Sequence, residues 1–154
     1  MPMHRRTFLA ATATLAAPAL ARAAIETRDG QTLFIVDKGA GRPVVFIHGW
    51  TLSSAIWKTQ TDFVARSGLR AIAYDRRGHG QSSKPASGYD YDSLVADLAT
   101  LMERLDLTNA VLVGHSMGAG EVVRYLARHG TGRVSRVLLV APTTPFQLKT
   151  EDNP

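Results

Sequence analysis

The sequence predicts an α/β fold, a mainly parallel and doubly wound sheet that follows an N-terminal β-hairpin. Short continuous apolar runs recur along the chain, as is typical of strands buried on both faces. Longer segments whose apolar residues have helical spacing alternate with these runs. Near the start, two segments of alternating apolar and polar residues flank an Asp-Gly pair, which is typical of a hairpin.

The first 47 residues contain three predicted strands, two in the hairpin and one buried strand after it. Residues 25–28 and 31–36 flank the Asp-Gly pair at 29–30 and predict the two strands of the hairpin. Residues 44–47, Val-Val-Phe-Ile, form a continuous apolar run after Pro43 and predict a buried strand. Because such a strand is covered on both faces, we expect helices on either side of the sheet.

The later elements alternate between helix and strand. A helix is predicted over residues 55–66, with Ser53 or Ser54 as its N-cap. Asp90 or Asp92 can cap the next predicted helix in the same way. The segments after the first helix are strand 70–75, helix 91–107, strand 110–114, helix 119–129 and strand 136–141.

The first 23 residues are typical of an export signal. Arg5 and Arg6 precede an apolar stretch over residues 8–20, and small residues at 19–23 are typical of a cleavage site. The paired arginines resemble a twin-arginine signal, so we expect export to the periplasm or out of the cell. An ordinary secretory signal or an uncleaved apolar tail is the alternative. Because a spanning helix needs roughly 20 apolar residues, this shorter stretch predicts no transmembrane helix.

Composition and charge exclude several classes of function. The chain has 18 Lys and Arg, 13 Asp and Glu, and no Cys. Without cysteine it can form no disulfide, no Cys-ligated zinc site and no thiol nucleophile. Removal of residues 1–23 takes away three arginines and no acid, which leaves 15 basic and 13 acidic side chains and lowers the net charge from +5 to +2. Those that remain are scattered, so no nucleic-acid partner is predicted.

Residues 114–118, Gly-His-Ser-Met-Gly, lie between a predicted strand and a predicted helix. A G-x-S-x-G sequence in this setting is typical of a nucleophile elbow, a strained turn that exposes its serine. Side chains at Gly114 and Gly118 would collide with neighbouring backbone, and the strain holds the Ser116 hydroxyl outward, over the positive end of the following helix. The pattern therefore predicts Ser116 as a catalytic nucleophile. A glycine-rich turn with a capping serine is the alternative.

A nucleophilic serine needs backbone N–H donors for the oxyanion that develops on its substrate. Met117 directly follows the predicted nucleophile, so we expect its N–H to be the first donor. Residues 48–50, His-Gly-Trp, follow the buried strand 44–47, and we expect the Trp50 N–H to be the second donor. A tight strand exit with Trp50 as a core aromatic is the alternative.

Charged residues and histidines elsewhere predict structure rather than chemistry. Loop 75–82 is expected to be a rigid, ion-paired turn. His129 suits the C-terminal end of a helix, where a partly cationic imidazole is favourable. Glu121 is expected to be an acid in the first turn of a helix, although its nearness to Ser116 leaves a role at the site open. Three histidines are expected to be hydrogen-bonding scaffold around loops: His48, His79 and His115.

Four separated segments together resemble the α/β-hydrolase superfamily. They are residues 48–50, 74–82, 114–118 and 124–130. The chain is closer to the cofactor-free (non-haem) chloroperoxidases and related arylesterases, whose elbow continues into a Gly-Glu-Val-x-Arg-Tyr helix, as residues 120–125 do here. The resemblance implies a Ser-Asp-His triad in which Ser116 is the nucleophile, with the amides of Trp50 and Met117 as the oxyanion hole.

The same resemblance implies a reaction and its substrates. A small ester or carboxylic acid reacts through an acyl-enzyme that water hydrolyses. Peroxide can intercept the acyl group instead, in a perhydrolysis whose peracid product oxidises halide. Neither step needs a metal or a haem, so the resemblance implies no cofactor.

The rest of the implied triad has no match in this sequence. In the superfamily the acid and then the histidine follow the serine, but the only later histidine is His129, at the end of the elbow's own helix. Glu151 and Asp152 come in the terminal tail with no histidine after them. We therefore expect residues 24–154 to be the N-terminal part of an α/β-hydrolase domain, inactive or nearly so by itself.

The predicted last strand, residues 136–141, is then expected to be an unpaired apolar edge. Such an edge aggregates, pairs with another chain or depends on a further segment. Self-association through this open edge is one of these outcomes. The alternative function is a non-catalytic α/β module that binds an acyl ligand or a partner chain.

Overall fold

The computed structural model describes residues 21–143. Within this range the chain forms six strands and three α-helices, the first of which follows a 3₁₀ turn at Ser54–Trp57. The strands are β1 (Ala21–Glu26), β2 (Thr32–Lys38), β3 (Pro43–Ile47), β4 (Arg70–Tyr74), β5 (Ala110–His115) and β6 (Val134–Val140). The helices are α1 (Lys58–Arg66), α2 (Tyr91–Arg104) and α3 (Met117–His129).

The strands form one sheet in the order β1-β2-β4-β3-β5-β6. β3 pairs in parallel with β4 and β5, and β5 pairs in parallel with β6. The β1–β2 hairpin joins this sheet antiparallel to β4. The predicted class, a mainly parallel sheet with an N-terminal hairpin, is therefore confirmed.

Alternate residues of β3 face two separate apolar layers. Val45 and Ile47 belong to the layer that includes α2 and α3, whereas Val44 and Phe46 pack with Trp57, next to α1. Successive side chains of a strand point to opposite faces of the sheet. Helices therefore cover both faces, and all five residues of β3 are buried, as its unbroken apolar run predicts.

The hairpin is confirmed, but its loop is longer than a two-residue turn. Glu26 pairs with Thr32, so residues 27–31 form the connection. The Thr27 N–H donates to the Gln31 carbonyl at 2.8 Å, and the Thr27 hydroxyl donates to Asp29 at 2.6 Å. Gly30 has φ 78°, a left-handed conformation that suits glycine.

Two predicted helices begin as their capping residues dictate. The Ser53 hydroxyl accepts from the Ala55 N–H, at the start of a 3₁₀ turn that leads into α1. Asp90 caps α2 by accepting from the Ser93 N–H at 2.9 Å. α3 begins at Met117, two residues before the predicted start, because Ser116 itself is the N-cap residue.

The predicted export signal lies mostly outside the described residues. Residues 21–23, which contain the predicted cleavage sites, form the first half of β1. Glu151 and Asp152 also lie outside the described range. Among the described helices, none combines the length and the apolar character that crossing a membrane requires.

β6 is an edge strand that exposes apolar side chains. In the described sheet it pairs with β5 on one side only. Val137, Leu138 and Val140 have 43%, 54% and 38% of their surface exposed. The predicted unpaired apolar edge at residues 136–141 is therefore present, with strand bounds of Val134–Val140.

Candidate active site

The carboxyl ends of three parallel strands lie level at one edge of the sheet. Ile47 of β3 pairs with Tyr74 of β4 on one side and with Gly114 of β5 on the other. The segments that follow these residues therefore meet at the same edge, where open α/β sheets bind their ligands.

Ser116 lies in a strained conformation between β5 and α3. Its φ of 52° and ψ of −119° fall outside the regions that residues with a side chain usually adopt. Such strain costs about 1–3 kcal/mol and persists only where surrounding contacts enforce it. Two backbone bonds do so: Ser116 N–H donates to the Val140 carbonyl, and Ala119 N–H donates to the Ser116 carbonyl, both at 2.9 Å.

The two glycines that flank this turn have no space for a side chain. A Cβ at Gly114 would lie 2.6 Å from the Gly118 carbonyl oxygen and 2.7 Å from the Ala119 Cα. A Cβ at Gly118 would lie 2.5 Å from the Ile47 carbonyl oxygen. The structure therefore confirms that a side chain at Gly114 or Gly118 would collide with neighbouring backbone.

The loop after β3 packs directly against the serine. A Cβ at Gly49 would lie 3.0 Å from the Ser116 Cβ, so the two backbones are in close contact. Thr51 has φ 61°, which is unusual for a β-branched residue. The Trp50 ring is 62% exposed and lies 5.9 Å, edge to face, from the ring of His79. The alternative interpretation of Trp50 as a core aromatic is therefore wrong.

Among the described residues, the backbone amides of Met117 and Trp50 have no hydrogen-bond acceptor. Met117 is the first residue of α3, where helix geometry leaves the N–H without an intrahelical partner. No residue within 21–143 accepts a hydrogen bond from the Trp50 N–H. Both donors belong to segments that contact Ser116, and the helix N-terminus adds partial positive charge there.

A buried ion pair lies beneath these segments. Arg76 Nε is 2.8 Å from Glu121 Oε2, and the two side chains are 0% and 1% exposed. The Tyr74 hydroxyl donates to the other oxygen of Glu121. Burial raises the pKa of Glu121, against the opposing effect of the Arg76 charge. Glu121 is therefore a buried network residue, which corrects its interpretation as a simple first-turn acid.

His48 is part of the same buried layer. Its Nε2 accepts from the Arg76 N–H at 3.0 Å, so the proton of the neutral ring lies on Nδ1, 2.8 Å from the Gly49 carbonyl. Burial lowers the pKa of His48 to about 4. His48 is neutral at pH 7 and acts as hydrogen-bonding scaffold, as predicted.

Loop 75–82 is the rigid, ion-paired turn that the sequence predicts. The Asp75 carboxylate accepts from the Ser54 N–H at 2.7 Å and from the Gln81 N–H at 2.8 Å. Arg77 makes a two-point ion pair with Asp97 of α2, with both N–O distances 2.6 Å. These bonds fasten the loop to the 3₁₀ turn and to α2.

The remaining histidines differ in their surroundings. His79 Nδ1 lies 3.0 Å from the Arg77 carbonyl, as expected of scaffold. His115 packs its ring edge-on to Trp57 at 6.4 Å, but its buried Nδ1 has no hydrogen-bond partner within residues 21–143, unlike the prediction. His129 stacks on Tyr125 at 5.0 Å, at the end of α3 away from Ser116.

A cavity of about 430 Å³ opens beside the Trp50 ring. Its lining residues are Trp50, Thr51, Leu52, Gly78, His79, Gly80 and Tyr89. Tyr89 has no motif around it in the sequence and was not predicted here. Tyr91 was missed for the same reason, and its hydroxyl lies 3.4 Å from the Met117 carbonyl. The described residues contain no group of three or more His, Asp or Glu side chains arranged to hold a metal ion.

A mainly parallel sheet with a strained serine turn at its carboxyl edge is the arrangement of the α/β-hydrolases. Comparison with known families gives the same class. The family described as alpha/beta hydrolase fold matches residues 42–154. The chain belongs to this family.

The chain is similar to several enzymes of known name. It is 49% identical to a non-heme chloroperoxidase of Kitasatospora aureofaciens over 128 residues, which are 83% of this chain and 46% of that protein. It is 42% identical to a bifunctional esterase/perhydrolase of Acinetobacter calcoaceticus over 132 residues, 84% of this chain and 48% of that protein. A crystal structure of bromoperoxidase from Bacillus anthracis matches with a TM-score of 0.82 and 43% identity, over 87% of this chain and 49% of that one. The chain spans about half the length of the curated relatives it matches.

Proposed function

We propose that the chain carries the nucleophile and oxyanion hole of a serine hydrolase that acts on carboxylic esters, with perhydrolysis as a second outcome. The observation that carries this proposal is the strained backbone of Ser116, at φ 52°, between a buried strand and a helix N-terminus. Strain of this kind clusters at functional sites. The names of the relatives, which include an esterase/perhydrolase and a chloroperoxidase, support the same reaction class.

The proposed reaction begins at the Ser116 hydroxyl. Its oxygen attacks the carbonyl carbon of the ester while a base takes its proton, and the carbonyl electrons move to oxygen. The N–H groups of Met117 and Trp50 bind that oxyanion, an interaction worth roughly 3 kcal/mol for each donor. Collapse of the intermediate expels the alcohol, which takes the proton. Water then releases the acid, or hydrogen peroxide releases a peracid.

The base in this reaction has to be supplied from elsewhere, because no hydrogen bond described within residues 21–143 joins the Ser116 hydroxyl to a base. The Ser116 side chain makes no capping hydrogen bond in α3, and no histidine follows His129 in the sequence. His48 Nε2 is taken by the Arg76 N–H. Because triad members act as a unit, we propose that the 154-residue chain by itself turns over slowly or not at all.

Substitution of Ser116 by alanine tests the nucleophile. A fluorophosphonate probe is expected to label the wild-type chain slowly at Ser116 during incubation for hours, as located by peptide mass spectrometry, because the proposed oxyanion donors can bind the phosphoryl oxygen even without the base. Where hydrolysis of p-nitrophenyl acetate by the wild-type chain is detectable, it is expected to fall to background in Ser116→Ala, because no other group replaces the hydroxyl. Ser67→Ala is the matched control, since Ser67 is an exposed serine at the end of α1. No labelling at Ser116 after this incubation, or equal hydrolysis by wild type and Ser116→Ala where hydrolysis is detectable, would contradict the proposal.

A second candidate function follows from β6, which in the described sheet pairs on one side only and exposes Val137, Leu138 and Val140. We propose that this edge pairs with a second copy of the chain. Leu138→Lys is expected to convert associated species to monomer in sedimentation velocity, because a buried lysine in the new interface is unfavourable. Phe63→Lys is the control, since Phe63 is 65% exposed but lies on α1. A monomeric wild type at all concentrations, or association that Leu138→Lys leaves unchanged, would refute it.

A further inference from the structure

The buried Arg76–Glu121 pair has no chemical part in the proposed reaction, yet it joins the two segments that supply the proposed oxyanion donors. Glu121 belongs to α3, four residues after Met117. Arg76 reaches the other segment, because its Nη1 donates to the His48 carbonyl at 3.3 Å. His48 comes two residues before Trp50. The pair therefore links the loop after β3 to α3 through one guanidinium.

Local backbone geometry cannot fix the separation of these two amides. Met117 and Trp50 lie on different segments, so tertiary contacts set the distance between their N–H groups. Two kinds of contact are present. Gly118 approaches β3 so closely that a Cβ there would lie 2.8 Å from the His48 carbonyl oxygen. The Arg76–Glu121 pair supplies the polar contact across the same gap.

The surroundings of the pair make its attraction strong. Both side chains are almost fully buried, and charges attract more strongly where water is excluded. Tyr74 holds the second oxygen of Glu121 and thereby orients the carboxylate. The Arg76 backbone N–H also donates to the His48 ring. Loss of the Glu121 carboxylate would leave the guanidinium with its hydrogen bond to the His48 carbonyl and without its link to α3.

We infer that Arg76 and Glu121, with Tyr74, are positioning residues that set the separation between the Trp50 and Met117 amides. This inference rests on the proposed function of Ser116 and its two amide donors. It assigns to Glu121 neither proton transfer nor substrate contact. A merely structural pair would affect stability alone, whereas a positioning pair also affects the turnover step.

Glu121→Gln is the variant that tests this inference, because glutamine has the shape of glutamate and still accepts from Tyr74. In ¹H–¹⁵N spectra of the folded variant, the amide signals of Gly49, Trp50 and Met117 are expected to shift. Asp92→Asn is the matched control, since Asp92 is a helical carboxylate paired with arginines but 46% exposed. If Glu121→Gln does not fold, Tyr74→Phe, which removes one hydroxyl, is expected to shift the same signals relative to those of the wild type. Unshifted signals in the folded variant would overturn the inference.

Kinetics provide the second measurement, in any preparation with Ser116-dependent hydrolysis of p-nitrophenyl acetate. Glu121→Gln is expected to lower kcat by about 10- to 100-fold with KM unchanged, because misplacement of donors by about 1 Å weakens only the transition state. An unchanged kcat would overturn the inference. Shifted amide signals in a chain whose Ser116 the fluorophosphonate probe does not label would support the positioning of the loop and contradict only the proposed function.

Discussion

Gly118→Ala is expected to destabilise the fold by about 3 kcal/mol, the upper range for overpacking a tight site. The added Cβ would lie 2.5 Å from the Ile47 carbonyl oxygen and 2.8 Å from that of His48. Both atoms are backbone, so relief requires α3 to move away from the end of β3. Alanine is better than glycine within a helix by about 1 kcal/mol, but this preference is smaller than the clash.

The measurement is the free energy of unfolding in urea, compared with Gly132→Ala. A Cβ at Gly132 meets no atom within 4 Å, and Gly132 does not have positive φ. The control is expected to change stability by less than about 0.5 kcal/mol. Equal stabilities for the two variants would show that α3 does not pack on β3 as closely as described.

The elements that could be predicted from sequence are those whose cause is local. The apolar run at 44–47 is itself the reason that β3 is buried on both faces. Gly114 and Gly118 are required by a turn of only a few residues, so the pentapeptide contains the whole steric condition. The capping of α2 by Asp90 likewise depends on a residue three positions away.

The features that could not be predicted depend on residues distant in sequence. The sequence predicts Glu121 only as an acid in the first turn of a helix, and only folding brings Tyr74 and Arg76 to it across more than 40 residues. The exposure of the Trp50 ring could not be foreseen either, because an aromatic residue after a buried strand is equally typical of a core. Loop 75–82 was predicted as an ion-paired turn, but nothing local identified Asp97 as the partner of Arg77.

Asp97→Ala is expected to destabilise the fold by about 3–5 kcal/mol, a large part of the stability of a small domain. The Arg77 and Asp97 side chains are 4% and 2% exposed and make a two-point contact. Without the carboxylate, the Arg77 guanidinium stays buried, and Asp29, 54% exposed, is the one ion-pair partner left to it within residues 21–143. Asp92→Ala is the matched control on the same helix, with arginine partners that are nearly half exposed. Its cost is expected to be at most about 1 kcal/mol.

A double variant separates the cost of breaking the pair from its net contribution. Burial raises the pKa of Asp97 and outweighs the lowering effect of Arg77, so desolvation cancels much of the attraction within the pair. Replacement of both charges by apolar groups of similar size is therefore expected to cost less than loss of one. Arg77→Met/Asp97→Leu should unfold at a higher urea concentration than Asp97→Ala. A lower midpoint for the double variant would mean that the pair stabilises the fold outright.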